Sequence, residues 1–457
     1  MTQLEELLAT WIPRQRWFAG KGAPIEAVRV EAEHPIVTGD PTLRLLVVRV
    51  TQPDLTSRYQ VLLGVCPEGG LPTELAHAVI GVCALAGLDS ARTVYDAAHD
   101  PELTALLLDH IAQGTDGSLR FRAVPGSVVR TGLRSLVLSG EQSNTSVVYG
   151  ERYVLKIFRR LWPGHNPDLE LNTALAGSPF VSPPHGWIET DLGDEEGYAI
   201  PTTLAMLQEY LRSATDGWVL AATSVRDLYD APDMPPGAAG GDFAGEAERL
   251  GSATAAVHRH LARDLPTDVL SSRALREIAQ AMERRLCRAV TEVPQLEPYS
   301  GALRSAFEAF AEVDDPLPVQ RVHGDYHLGQ VVRTDTGWVL LDFEGEPGAP
   351  IDERQRLSSP LRDVAGMLRS FDYAARYQLV GNAHEEELAP VARGWARHNR
   401  EAFCAGYANG GGVDPEKHQT VLRAFEYDKA VYEVLYEARN RPTWLRIPLD
   451  SIAALAS

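Results

Sequence analysis

Cysteine is scarce in this chain: four in 457 residues, at 66, 83, 287 and 404, with no C-x-x-C pair and no Cys/His spacing suited to zinc. That pattern excludes a disulfide-stapled fold and fits a reducing compartment, where such thiols are buried. Basic charge is also short. Lys and Arg number 43 against 62 Asp and Glu, a formal net charge of -19. A general nucleic-acid or membrane-surface binder needs a basic face, so neither partner is expected. No apolar run is long enough to span a bilayer, and the opening MTQLEELLAT lacks the basic-then-apolar plan of a signal peptide. No internal repeat is visible. The expectation is a soluble, cytoplasmic protein of two to three structural units with a large core.

Taken in order, residues 3 to 10 read as a short helix leading into WIPRQRWFAGKG. That segment is either a loop reaching a phosphate or sugar, or a cap whose aromatics pack while Arg14, Arg16 and Lys21 face water. Apolar or alternating runs at 24–37, 42–51 and 57–65 read as a small antiparallel sheet. Residues 74–113 are Ala/Leu-rich and read as helical, with a boundary near 90. Strand-like segments return at 118–124, 127–139, 183–189 and 197–204. Beyond the breaker-rich 231–243 nearly everything is helical: 245–262, 273–291, 301–312, 360–377, 388–408 and 416–440. Strands followed by helices give an α+β chain with separate lobes.

The one stretch that interrupts the helices is RVHGDYHLGQVVRTDTGWVLLDFEGE, residues 321–346. Its order, Asp325, four residues, Gln330, a β-hairpin and then Asp342-Phe343-Glu344, is similar to the catalytic loop and metal-binding Asp of protein kinases. Phosphoryl transfer needs charge neutralised and a hydroxyl aimed in line. Mg2+ takes oxygen ligands such as the Asp342 carboxylate and the Gln330 carbonyl, which leaves Asp325 to accept the hydroxyl proton.

A second stretch, EQSNTSVVYGERYVLKIF, sets Lys156 on a strand after a polar turn. In the kinase plan such a Lys holds the ATP phosphates and the turn covers them; Ser143, Asn144 and Thr145 serve either that end or a hairpin cap. A cation flanked by Leu155, Ile157 and Phe158 needs a partner, and Glu170 is the candidate, with Asp168 nearer the helix start. Residues 206–211 have the form of a hinge whose backbone meets adenine, around Glu209 and Leu211. Tyr432 and Tyr436 share a helix face and suit either sugar stacking or core packing.

Together PRQRWFAGKG, EQSNTSV, LKIFRR, GDFAGE, VQRVHGDYHLGQV, DFEGEPG, SPLRDVAGMLRSF and DKAVYEVLYEARNRPTWLRIPL resemble the actinobacterial maltokinases, within the aminoglycoside-phosphotransferase and protein-kinase-like superfamily. The resemblance implies a bilobal kinase-like fold: an N-terminal cap over residues 1–90, a β-rich subdomain over 91–207 completing the N-lobe, and a helical C-lobe over 208–457. It implies transfer of the ATP γ-phosphoryl group to the anomeric hydroxyl of maltose, giving maltose 1-phosphate for glycogen synthesis. A trehalose synthase or a maltosyltransferase of the same pathway would be a partner. Carried over, Asp325 is the base and Gln330 and Asp342 are magnesium ligands, with Glu344 adding a metal or water contact. His323, Arg369, Tyr432, Tyr436 and Arg439 line the sugar site. The alternatives are a kinase for another sugar such as glucosamine, whose ammonium would need Glu426 or Glu433, and a non-catalytic ATP-binding partner of a trehalose-converting enzyme.

Overall fold

Strands, several of them buried on both faces, build the first half of the molecule. In the computed structural model, which describes residues 2–85, 90–138, 143–194, 196–346 and 348–456, the chain forms two units. One is Met1–Thr173 with Ser182–Arg212; the other is Ala174–Val181 with Ser213–Ser457. The first unit holds α1 (Gln3–Trp11), β1 (Ala27–Val37), β2 (Thr42–Gln52), β3 (Leu55–Pro67), β4 (Val79–Cys83), β5 (Arg92–Asp96) and α2 (Pro101–Gln113). It continues with β6 (Arg120–Ala123), β7 (Ser135–Val137), β8 (Thr145–Tyr149), β9 (Tyr153–Ile157), β10 (Arg160–Leu161), α3 (Pro167–Ala174), β11 (Pro184–Gly193) and β12 (Ala199–Glu209). One sheet runs β1-β2-β3-β5-β4, with β10 also on β3; the other runs β6-β11-β12-β9-β8-β7. Paired strands in both are antiparallel.

Strand β2 is apolar on both faces, and the period of two separates its partners. Leu46, Val48 and Val50 join Leu8, Ile12, Trp17 and Phe18 in one cluster. Leu43, Leu45 and Val47 join Leu103, Leu107, Leu155, Ile157 and Leu207 in another. The segment WIPRQRWFAGKG therefore packs: Trp17 and Phe18 are buried, Arg14, Arg16 and Lys21 are exposed, and the Arg159 guanidinium stacks 5.2 Å from the Trp17 ring.

The expected helix over 74–113 is confined to its end, α2. Within the earlier part, β4 and β5 pair beside β3: VIGVC and RTVYD are rich in β-branched and aromatic residues, and the open edge of β3 outweighs the helix preference of the Ala and Leu around them. The first sheet accordingly takes a strand from beyond residue 90.

The second unit contains β13 (Thr215–Asp216), α4 (Gly217–Tyr229), α5 (Ala244–Asp264), β14 (Asp268–Leu270), α6 (Ser272–Glu292), α7 (Ser300–Ala311), β15 (Leu317–Val319), β16 (Val331–Thr334) and β17 (Gly337–Leu340). Then come α8 (Ile351–Arg354), α9 (Leu361–Arg376), α10 (Glu385–Asn409), α11 (Gln419–Asn440) and α12 (Arg446–Ala456). Helix α9 is the centre of this unit. Fourteen of its residues are buried, so it presents side chains to neighbours on every side, and both polar sites described below use it. A β-rich first unit and a helical second make the chain α+β.

Candidate active site

The loop from Arg321 to Gln330 is held by hydrogen bonds between buried side chains and the backbone. The buried His323 ring donates from Nε2 to the carbonyl of Leu341 at 2.7 Å, which ties the loop to the residue before Asp342. Asp363, in the first turn of α9, accepts from the backbone N–H groups of His323 (2.7 Å) and Gly324 (2.9 Å). It also accepts from His258 Nε2 at 2.9 Å. A Cβ on Gly366 would lie 2.5 Å from the carbonyl oxygen of Tyr326; only a glycine lets α9 approach the loop this closely.

Asp325 is presented by this frame. Its Oδ1 accepts from Lys429 Nζ, on α11, at 3.1 Å. Burial pushes the Asp325 pKa up, but the Lys429 ammonium and then His327 and His323 outweigh it, so the carboxyl titrates below its ordinary value. Burial lowers the pKa of His327, against the pull of Asp325. Asp325 and Asp342 both act on His327, so the two carboxylates share one neighbourhood.

Asp342 has φ 62°, a left-handed conformation that Asp tolerates and that recurs at functional sites. Its Oδ2 accepts from Gln330 Nε2 at 3.1 Å. Glu344, two residues on, lies 3.8 Å from the Arg354 guanidinium. A carboxylate beside an amide is an oxygen donor set of the kind magnesium uses, once the amide turns its carbonyl inward. The residues present fit that ion.

Helix α11 continues past Lys429 with two aromatic planes. Lys429 Nζ lies 5.1 Å from the Tyr432 ring, and Tyr432 stacks on Tyr436 at 6.3 Å between centroids. Arg369 was expected at the sugar. It is instead fully buried, with Nε and Nη2 on Glu433 (3.0 and 2.7 Å) and Nη1 on Asp372 (2.9 Å). Its fork is used to clamp α9 to α11. His323 is likewise buried, in its role as loop anchor. Arg439 is exposed and paired with Glu292 at 2.6 Å; ten residues beyond Lys429, it lies roughly 15 Å along the helix.

In the first unit, Lys156 on β9 is buried and pairs with Asp168 Oδ2 at 2.9 Å. The expectation had been Glu170. Residues two apart on a helix point to nearly opposite sides, and the phase of α3 turns Asp168 toward the strand. Asp168 is itself held, its Oδ1 accepting from Asn172 Nδ2 at 2.8 Å. Of the turn residues, Thr145 Oγ1 accepts from Arg159 Nε at 2.8 Å, Asn144 is buried and donates to Ser143 Oγ at 3.3 Å, and Ser143 is exposed. The preceding Glu141 and Gln142 lie outside the described residues. At the end of β12 the Glu209 N–H is taken by Pro183 O, while Leu211 makes no backbone–backbone hydrogen bond among the described residues.

Asp363 and His258 are not singled out by the sequence, and Lys429, on the tyrosine-bearing helix, receives no role of its own there. Lys429 had a signal, a cation one turn before Tyr432 on a largely apolar helix. Asp363 had none, since an acidic residue in a first helical turn is ordinary.

These features define a phosphotransferase. Residues 11–100 match the maltokinase N-terminal cap domain, and residues 237–410 match the phosphotransferase enzyme family. A glucosamine kinase of Streptacidiphilus jiangxiensis is 31% identical over 361 residues, 74% of this chain and 77% of that one. A glucosamine kinase of Mycolicibacterium smegmatis (strain ATCC 700084 / mc(2)155) is 30% identical over 332 residues, 69% and 78% of the two chains. The solved glucosamine kinase in complex with glucosamine, ADP and inorganic phosphate has TM-score 0.67 at 25% identity, with 100% of both chains covered. Crystal form B of a glucosamine kinase has TM-score 0.69 at 24% identity, covering 99% of each. The chain belongs to the phosphotransferase enzyme family, in the sugar-kinase branch that carries a maltokinase N-terminal cap. Among the described residues no helix is long and apolar enough to cross a membrane.

Proposed function

We propose that the protein is an ATP-dependent, cytoplasmic kinase that phosphorylates maltose at the anomeric hydroxyl, giving maltose 1-phosphate for α-glucan synthesis. The observation that carries this reading is Asp325, an ionised carboxylate held by Lys429 beside the stacked Tyr432–Tyr436 wall. In this scheme the sugar O–H donates to Asp325, which takes the proton as the sugar oxygen bonds the γ-phosphorus and the bond to the leaving ADP breaks. The low pKa of Asp325 suits a base that orients the hydroxyl throughout and receives its proton late. Gln330 and Asp342, with Glu344 near, would hold magnesium, which supplies neutralisation of the phosphate oxygens. Lys156 would contact the phosphates, Asp168 orienting it; the Leu211 backbone is the adenine contact in this scheme, with Glu209 before it. The tyrosine planes suit the CH faces of a sugar ring.

A neutral sugar is supported by the state of the two carboxylates that are the candidates for meeting an ammonium. Glu433 is already on Arg369, and Glu426 is on Arg400 at 2.5 Å. The second reading, glucosamine, is supported by the relatives named above. Turnover on maltose, glucose and glucosamine with one ATP pool separates them: phosphoryl transfer to maltose is expected, and activity on glucosamine alone would overturn the choice. A trehalose synthase or maltosyltransferase would then be the enzyme that supplies or consumes the sugar.

A further inference from the structure

The far end of α9 faces a cavity of about 460 Å³ with lining from α9, α10 and α12. Its lining does not include Asp325, Gln330, Asp342, Lys429, Tyr432 or Tyr436. Its polar lining is Asp372, Arg376, Arg393, Arg397, Arg400 and Ser451, four guanidinium groups to one carboxylate. The carboxylate partners of these arginines, inside the lining and beyond it, are mostly distant. Arg376 reaches Asp450 at 3.5 Å, Arg397 reaches Glu401 at 4.0 Å and Arg400 reaches Asp372 at 3.6 Å. Only the Arg400–Glu426 contact, at 2.5 Å, is short. The Arg393 guanidinium makes no hydrogen bond or ion pair among the described residues.

The unmet hydrogen bonds point the same way. Arg376 is nine-tenths buried, yet its Nε has no hydrogen-bond partner; nor have the buried Arg400 Nη1 and the Ser451 hydroxyl. Buried donors are almost always satisfied, so three unmet donors on residues that line one cavity mark a lining short of acceptors. Burial, with Arg369 and Arg393 close by, depresses the Arg376 pKa against the pull of Asp372 and Asp450, as expected where positive charge is under-compensated. Phosphate is the anion such a set recognises: several guanidinium forks and a hydroxyl can bond its oxygens together. The volume admits inorganic phosphate or a small phosphomonoester.

We propose that this arginine-lined cavity is an anion site that binds a phosphate group, free or as the ester of a small metabolite, apart from the catalytic centre. The test is calorimetry on the full chain with a non-hydrolysable ATP analogue at saturation, so that the nucleotide site is filled. Inorganic phosphate and glucose 6-phosphate are titrated separately, with chloride at matched ionic strength as control. At least one of the two phosphates binds, and its binding weakens tenfold or more in the double variant Arg393→Gln/Arg397→Gln, whose side chains are exposed and whose fold is preserved. Arg376→Gln gives the same loss. The ligand also raises the melting temperature of the wild type by about 2 °C and not that of the double variant. Which of the two phosphates binds identifies the source. Absence of binding of either up to about 10 mM, or equal binding by wild type and double variant, overturns the proposal.

Discussion

The two ends of α9 handle charge in opposite ways. At its start, Asp363 is fully buried and every partner is close: two backbone N–H groups and His258, all within 2.9 Å. At its end, Arg376 is nearly as buried but meets its carboxylate only at 3.5 Å, among other arginines. A buried charge with a complete shell positions something, here the loop bearing Asp325. One with an incomplete shell leaves room for a further acceptor, which is what the proposed anion site uses. Arg369, in the middle, belongs to the first kind, since Glu433 and Asp372 occupy its whole fork.

The matched end breaks most visibly at Asp363. Asp363→Ala strips acceptors from two N–H groups and His258, and the expected cost is about 3–5 kcal/mol, read as a lowered urea midpoint. A loss under about 1 kcal/mol would mean the loop is held by other contacts. Lys429→Met sharpens the comparison by making a matched carboxylate unmatched. Asp325 works as a base when ionised, so activity is lost as pH falls through its depressed pKa. Without Lys429 the upward push of burial prevails, and the acidic limb of kcat/KM moves to higher pH; an unmoved limb would show that Lys429 does not govern that carboxyl. Arg439→Ala has the smallest effect. Its pair with Glu292 is solvent-exposed, worth about 0–1 kcal/mol, and sugar KM is expected to stay within about twofold. A large rise in KM would return Arg439 to the sugar site.

Much of this was legible from residue order. The β-hairpin between Gln330 and Asp342, the strand carrying Lys156 and the long helices follow from local periodicity and turn chemistry, and they formed where expected. What escaped was the choice of partner. Asp168 and Glu170 are both acidic and both on α3; only the phase of the packed helix decides which meets Lys156. Arg369 is placed at the sugar by the resemblance alone, and the sequence does not reveal that Glu433 lies across from it. The strands β4 and β5 escaped because their partner, β3, is supplied by the fold.

The central claim is that Asp325 receives the sugar proton. The direct measurement is single-turnover phosphoryl transfer to maltose by Asp325→Asn, together with ATP affinity and melting temperature. The expected rate is lower by about 100-fold or more, with nucleotide binding and stability retained. A wild-type rate in that variant would contradict it.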